Sequence, residues 1–352
     1  MNSIELLESL VNVSSVSGSE TELADRLYHS LGKEGFEVQR EGDSVWFALG
    51  SNESPHLLLL SHIDTVPAGE GWQSDPCKLR REGEKLIGLG ANDAKGCVAA
   101  MILAARELRA TDFEGAITFA FVEEEERGGD GIRAVKPKLG TIDAAIIGEP
   151  TSLEVVIAQR GMLLLRCIAH GESAHVAHAQ LGDNAIHKAT RDIERLAAME
   201  FEAHHSLGAT RAQVTQITGG LARNQLPERC EFFVDLRTTP NLRHATMAAQ
   251  IDDALESEVI IHSDRYVPVA TDGNEPIVRA ALTAASKERG IGSVTTSDWA
   301  FLKGIPAVKI GPGDTQRSHR PNEFLLASEL EAGAQFYQSA VRAYFELMHA
   351  HV

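Results

Sequence analysis

Four short apolar runs constrain the fold of this chain more than anything else in it. LLLL at 57–60, AITFAFV at 116–122, AAII at 144–147 and AVKI at 307–310 lack clean polar alternation, the pattern of central strands covered on both faces. They predict an α/β domain built on a mainly parallel, helix-covered sheet. Around them, an amphipathic helix over about 20–34 places Leu23, Leu27 and Leu31 on one face, the strand signals FEVQR and SVWFALG follow, and CVAAMILAARELRA is a further helix.

Between the third and fourth runs the pattern changes. The strand MLLLRCIAHG, the helix NAIHKATRDIERLAAME, the strands TRAQVTQIT and ERCEFFVDLRT, a helix from about Arg243 and the strand EVIIHS group strands with two helices. They predict an antiparallel α+β unit inserted into the first domain. The expected boundaries give a first domain of 1–159 plus 271–352 and an insert of 160–270. At 352 residues the chain exceeds what one core usually spans, and 43% hydrophobic residues supply two.

Charge and cysteine usage narrow the function classes. A formal net charge of −17 argues against nucleic acid and anionic membranes as partners. The start, MNSIELLESLVNV, is acidic with no long apolar stretch, and no later segment approaches ~18 uninterrupted apolar residues, so a cytoplasmic location is expected. Cys77, Cys97, Cys167 and Cys230 are far apart and form no CxxC pair, as expected of reduced thiols packed as small hydrophobes.

In an open α/β sheet the functional crevice lies beyond the carboxyl ends of the strands. Five ligand-type residues stand at such ends or in Gly/Pro turns: His62, Asp93, Glu126, Glu149 and His319. In SHIDTVP, His62 can coordinate a cation while Asp64, two residues on, accepts the other ring N–H and fixes the tautomer. In GLGANDAKG, Asp93 lies in a Gly-flanked turn before a helix and is the bridging candidate. FVEEEERGGDG ends an apolar run on four glutamates, costly without cations or solvent. Glu125 is read as general base and Glu126 as ligand, with Glu124 and Glu125 as the alternative register. Two imidazoles and three carboxylates of this kind can hold two divalent cations if one carboxylate bridges, and such a pair activates water. The chain therefore reads as a hydrolase.

Taken in order, SHIDTVP, GANDAKG, EEERGGDG, IIGEPT and GPGDTQRSHRPNE resemble the M20 family of di-zinc aminoacylases and metallopeptidases, with the acetylornithine deacetylase branch nearest. The resemblance covers nearly the whole chain. It implies a two-domain subunit with an inserted dimerisation or lid domain, hence a homodimer, and two divalent ions, zinc first with cobalt or manganese as alternatives. One ion would take His62 and Glu149, the other Glu126 and His319, with Asp93 shared. GESAHVAHAQLGDNAI resembles the family's lid segment, whose His, here His175, reaches the neighbouring subunit's active site and stabilises the oxyanion. GGLARNQLPERCEFFVDLRTTP resembles the segment whose Asn and Arg, here Asn224 and Arg237, hold the substrate carboxylate. The activity implied is removal of an acyl group from a small Nα-acyl amino acid, acetylornithine or acetylcitrulline in arginine-type biosynthesis. Succinyl-diaminopimelate desuccinylase, hydrolysis of lysine or ornithine from a carrier protein, and metallo-dipeptidase are the alternatives.

Overall fold

The apolar runs pair with one another. In this computed structural model, which describes residues 1–51, 55–111 and 114–350, six strands lie side by side in the order Gln39–Glu41, Ser44–Gly50, Ala116–Val122, His56–His62, Ala144–Ile147, Ala307–Lys309. The last four run parallel, and the first two are added antiparallel at one side. Every residue of Ala116–Val122 and Ala144–Ile147 is buried, as is Leu57–Leu60. That is why these segments carry no alternation: helices cover both faces of a parallel sheet. Helix Thr21–Lys33 turns Leu23, Ala24, Leu27 and Leu31 inward at helical spacing. Lys95–Leu108 and Ala327–His349 add Val98, Met101, Ile102, Phe336, Tyr337 and Tyr344 to the same core.

These elements belong to a first unit comprising Met1–Ile157, Ala270–Ile291 and Ser297–Val352; the second comprises Ala158–Val269 and Gly292–Thr296. The second unit has a four-stranded antiparallel sheet in the order Ala212–Gly219, Arg229–Thr238, Gly161–His170, Glu258–Tyr266. Here alternation returns. Leu163, Leu165, Cys167, Phe232, Val234 and Leu236 are buried with Ala185, Ala189, Leu196, Met247 and Ile251 of helices Ala185–Ala198 and His244–Ala254, whereas the alternate residues Met162, Leu164 and Arg166 stay partly open. A sheet with helices on one face needs only every second side chain to be apolar. The four cysteines are free thiols, and Cys97, Cys167 and Cys230 are buried. Among the described residues no helix is long and apolar enough to cross a membrane.

Candidate metal centre

Parallel strands about 4.8 Å apart deliver their carboxyl ends to one edge, and three of them deliver candidate ligands there. His62 closes its strand opposite Val122. Glu149 follows Ile147 by two residues, where Gly148 donates its N–H to Leu60 at 2.7 Å and its carbonyl accepts the Ser61 hydroxyl at 2.9 Å. Beyond Val122 the chain reverses at once. Glu124 takes a left-handed conformation (φ 55°) before the 3-10 turn Glu125–Arg127, and its carbonyl accepts the N–H groups of Gly128 and Gly129. Gly131 packs so close to this loop that a Cβ there would lie 2.3 Å from the Glu123 carbonyl oxygen, so the returning chain requires glycine.

Two loops complete the edge. Asp93 lies in the turn before helix Lys95–Leu108, and the Asp93–Ala94 peptide is cis. His319 lies in the loop after strand Ala307–Lys309. The two loops are stitched together: the Asn92 side chain accepts the Asp314 N–H at 2.9 Å and donates to the Asp314 carbonyl at 3.1 Å. The Glu323 carboxylate accepts the N–H groups of both Asn92 and Asp93 at 2.9 Å.

The five ligand-type residues meet in two triads that share Asp93. His62, Asp93 and Glu149 form one, Asp93, Glu126 and His319 the other, and within each triad one ligand atom per residue lies within 4.8 Å of the rest. Between imidazole and carboxylate, His319 Nε2 lies 2.8 Å from Glu126 Oε1 and 3.7 Å from Asp93 Oδ2, and His62 Nε2 lies 3.3 Å from Asp93 Oδ1. One imidazole and two carboxylates per triad is a mixed N/O donor set suited to zinc and its first-row neighbours. Glu125 overlaps both, grouping with His62 and Glu126, while the Glu124 carboxylate faces Arg127 at 3.6 Å.

Asp64, fully buried, does more than the sequence indicates. His62 Nδ1 stands 3.3 Å from its carboxylate and 3.1 Å from its carbonyl oxygen. Its two carboxylate oxygens also accept the N–H groups of Glu125 and Glu126, each at 3.1 Å, and the Ser17 hydroxyl at 2.7 Å. One side chain thus orients the His62 ring and fixes the backbone of Glu125 and Glu126.

The electrostatics are those of carboxylates crowded out of water. Burial, reinforced by Glu149, holds the Glu125 carboxyl well above its ordinary value. Burial pushes Glu149 and Glu323 up to about 7. Burial opposes charge on His62, but its bonds to Asp64 and Asp93 win and raise it well above normal. The hydrogen bond that His319 donates to Glu126 lifts its pKa to about 9. Asp298, which sequence reasoning did not single out, is buried with neither carboxylate oxygen hydrogen-bonded, and burial holds its carboxyl well above the usual range.

The remaining sequence candidates lie in the second unit. His175 is exposed, and its Nδ1 accepts the Ala177 N–H at 3.1 Å, which leaves Nε2 as the protonated, donating nitrogen. Asn224 is exposed in a turn, its carbonyl accepting the Val176 N–H at 3.0 Å. Arg237 is not a free fork: its Nε and Nη2 meet the two oxygens of Asp235 at 3.0 and 3.2 Å. The i, i+2 spacing that puts both on one face of the strand was readable in DLR.

Residues 58–343 match the sequence profile of peptidase family M20/M25/M40. A Mycobacterium tuberculosis protein provisionally named a succinyl-diaminopimelate desuccinylase is 31% identical, across 94% of this chain and 95% of its own length. The succinyl-diaminopimelate desuccinylase of Halorhodospira halophila is 30% identical across 95% of this chain and 96% of its own. Among solved structures, a tripeptidase from Staphylococcus aureus superposes with a TM-score of 0.82 at 21% identity, covering 98% of each chain.

Proposed function

We propose, from the premise that this chain belongs to peptidase family M20/M25/M40 and so is a hydrolase of amide bonds, that it removes a short acyl group from an N-acyl amino acid with the help of two divalent cations. The observation that carries this reading is the pair of triads sharing Asp93. His62 and Glu149 would hold one cation, Glu126 and His319 the other, and Asp93 both. Cations held there supply Lewis acidity and bring the pKa of a water toward neutrality.

The chain's own groups do the rest. Glu125, partly buried and raised in pKa, takes the proton of the attacking water and returns it to the leaving amine nitrogen, which then departs as the free amino acid. Asp64 keeps the His62 ring and the Glu125 backbone in place during that transfer. His175, with Nε2 as donor, would offer a hydrogen bond to the oxyanion from the second subunit of a homodimer, a contribution of roughly 3 kcal/mol for one well-placed donor. Asn224 and Arg237 would bind the substrate carboxylate, Arg237 exchanging Asp235 for it or sharing its fork.

The relatives described above are desuccinylases by name, which favours a succinyl group on a diamino acid over an acetyl group. The motif series resembling the acetylornithine deacetylases keeps acetylornithine and acetylcitrulline as the second reading. Protein reconstituted with zinc, cobalt or manganese and assayed against succinyl-diaminopimelate, acetylornithine, acetylcitrulline and dipeptides separates them. The expected result is a kcat/KM at least about tenfold higher for the succinylated substrate, which corresponds to about 1.4 kcal/mol of transition-state discrimination. Preference for an acetylated substrate establishes the second reading. Cleavage of none of them by metal-loaded protein overturns both.

A further inference from the structure

A second carboxylate cluster lies outside the centre described above. Glu20 precedes helix Thr21–Lys33, Asp43 lies in the turn before strand Ser44–Gly50, and Glu123 follows strand Ala116–Val122. One carboxylate oxygen from each lies within 4.8 Å of the other two. Three carboxylates brought together are not in themselves a site, but Glu20 is 1% exposed and its Oε2 is buried with no hydrogen-bond partner. Its other oxygen accepts the Glu124 N–H at 3.2 Å. Asp43 is better served, taking the Thr21 hydroxyl and an Arg40 Nη2, both at 2.7 Å. Arg40 divides its charge between Asp43 and Asp25. Glu123 has the Ser44 hydroxyl at 3.4 Å.

Three ionised carboxylates against part of one guanidinium would leave the cluster with a surplus of between two and three negative charges. A proton could satisfy one pair of oxygens; a divalent cation satisfies all three carboxylates at once. The donor set is all oxygen, with no imidazole or thiolate, and so selects a hard cation over zinc. Glu20 and Glu123 are both raised from their ordinary pKa, chiefly by burial, the direction expected of carboxylates short of counter-charge.

We infer that Glu20, Asp43 and Glu123 form a structural site for a hard divalent cation, calcium or magnesium, separate from the two triads. Bound there, the cation joins the start of helix Thr21–Lys33, the turn at Asp43 and the end of strand Ala116–Val122. Because Glu20 also holds the Glu124 N–H, the site braces the root of the loop that carries Glu125 and Glu126.

The test uses the full chain saturated with zinc, titrated by calorimetry with calcium chloride and, separately, magnesium chloride. An open three-carboxylate site is expected to bind one equivalent of calcium with a Kd on the order of 0.1–1 mM, accompanied by a rise in Tm. Glu20→Gln and Asp43→Asn are each expected to weaken that binding at least about tenfold, whereas Asp93→Asn, which strikes the shared ligand of the triads, leaves it in place. The same titration and Tm series on the unsubstituted protein reads the site even if one variant fails to fold. Absence of saturable uptake of either cation up to about 10 mM, uptake unaffected by both Glu20→Gln and Asp43→Asn, or uptake abolished by Asp93→Asn would each overturn the inference. The first outcome would leave a proton as the occupant of the cluster.

Discussion

Replacing Asp64 with asparagine tests whether the centre is positioned the way its hydrogen bonds indicate. Asp64 spends one oxygen on the Glu125 N–H and the His62 ring, and the other on the Glu126 N–H and the Ser17 hydroxyl. Asparagine keeps one acceptor and puts an NH2 in place of the other. With its oxygen toward Glu125, the NH2 faces the Glu126 N–H, although Ser17 can turn its hydroxyl to accept. With the opposite rotamer the NH2 faces both the Glu125 N–H and the His62 ring. Either way a buried donor loses its acceptor, which costs about 1–3 kcal/mol, and a charge-assisted bond of about 1.5–3 kcal/mol goes with it.

The first rotamer damages less, so most of the penalty of roughly 3 kcal/mol falls on the Glu126 backbone and is present with or without metal. Metal-free Asp64→Asn should therefore melt roughly 4–6 °C below the unsubstituted protein. Loss of the anionic partner of the His62 ring adds a loss in zinc affinity of about 10–100-fold, the usual consequence of removing a carboxylate behind a ligating histidine. Differential scanning calorimetry gives the first quantity and chelator competition the second. Zinc affinity within about threefold of the original, with Tm unchanged, would show that Asp64 positions neither the ring nor the loop.

Glu125→Gln is expected to keep both ions and lose about 10²–10⁴-fold in kcat, whereas Glu126→Gln loses metal occupancy; elemental analysis beside turnover separates the two, and equal mild effects would refute the assignment. His175→Ala mixed with Glu125→Gln should regain about a quarter of the original activity, since half of randomly assorted dimers are mixed and each of those has one complete site; no regain would place His175 outside the partner's site. Metal-free protein should lose stability as pH rises. Glu149 and Glu323 are raised from 4.5 to about 7 and His319 from 6.5 to about 9, so the fold binds more protons than the unfolded chain across that range, and stability present at pH 5 is lost through pH 7 to 9. A Tm that climbs over this interval in chelator-treated protein would contradict the sign, and zinc should flatten the profile by supplying the charge that the protons supplied.

How much of this was legible in the sequence depended on how local the cause was. Leu57–Leu60 and Ala144–Ile147 announce covered strands because burial on both faces removes polar alternation, and once those strands are placed parallel, His62 and Glu149 must emerge at the same edge. Glu126 is half-legible: four consecutive glutamates mark the place, but the left-handed turn at Glu124 that selects which of them point at the triads is set by backbone bonds to Gly128 and Gly129. Asp298 went unread because a single acid before an aromatic residue carries no periodic signal. The same holds for residues 292–296, which join the second unit although their composition does not distinguish them. Glu323 could not be read at all, since its partners Asn92 and Asp93 are some 230 positions away.

Glu323 and Asp64 nevertheless follow one rule. Each is a buried carboxylate carried on one ligand loop and accepting two consecutive backbone N–H groups of another: Asp64, from the His62 loop, clamps Glu125 and Glu126, and Glu323, from the His319 loop, clamps Asn92 and Asp93. Candidate ligands from separate loops are thereby coupled in pairs. The two clamps differ in one respect that predicts opposite tolerance. Asp64 uses both oxygens, one per N–H, whereas both N–H groups on Glu323 converge on Oε1. Glutamine at 323 can keep that single acceptor for both N–H groups, and the Gly90 N–H is a weaker partner of the carboxylate than either. Burial and the neighbouring Asp93 already favour an uncharged group there. Glu323→Gln should therefore cost about 1 kcal/mol, the charge-assisted part of the bonds alone, and change zinc affinity less than about tenfold, while Glu323→Ala strands two buried donors and costs about 3 kcal/mol or more. If Glu323→Gln proved as damaging as Asp64→Asn, the negative charge of the clamp, and not its geometry, would be what holds Asp93 between the two triads.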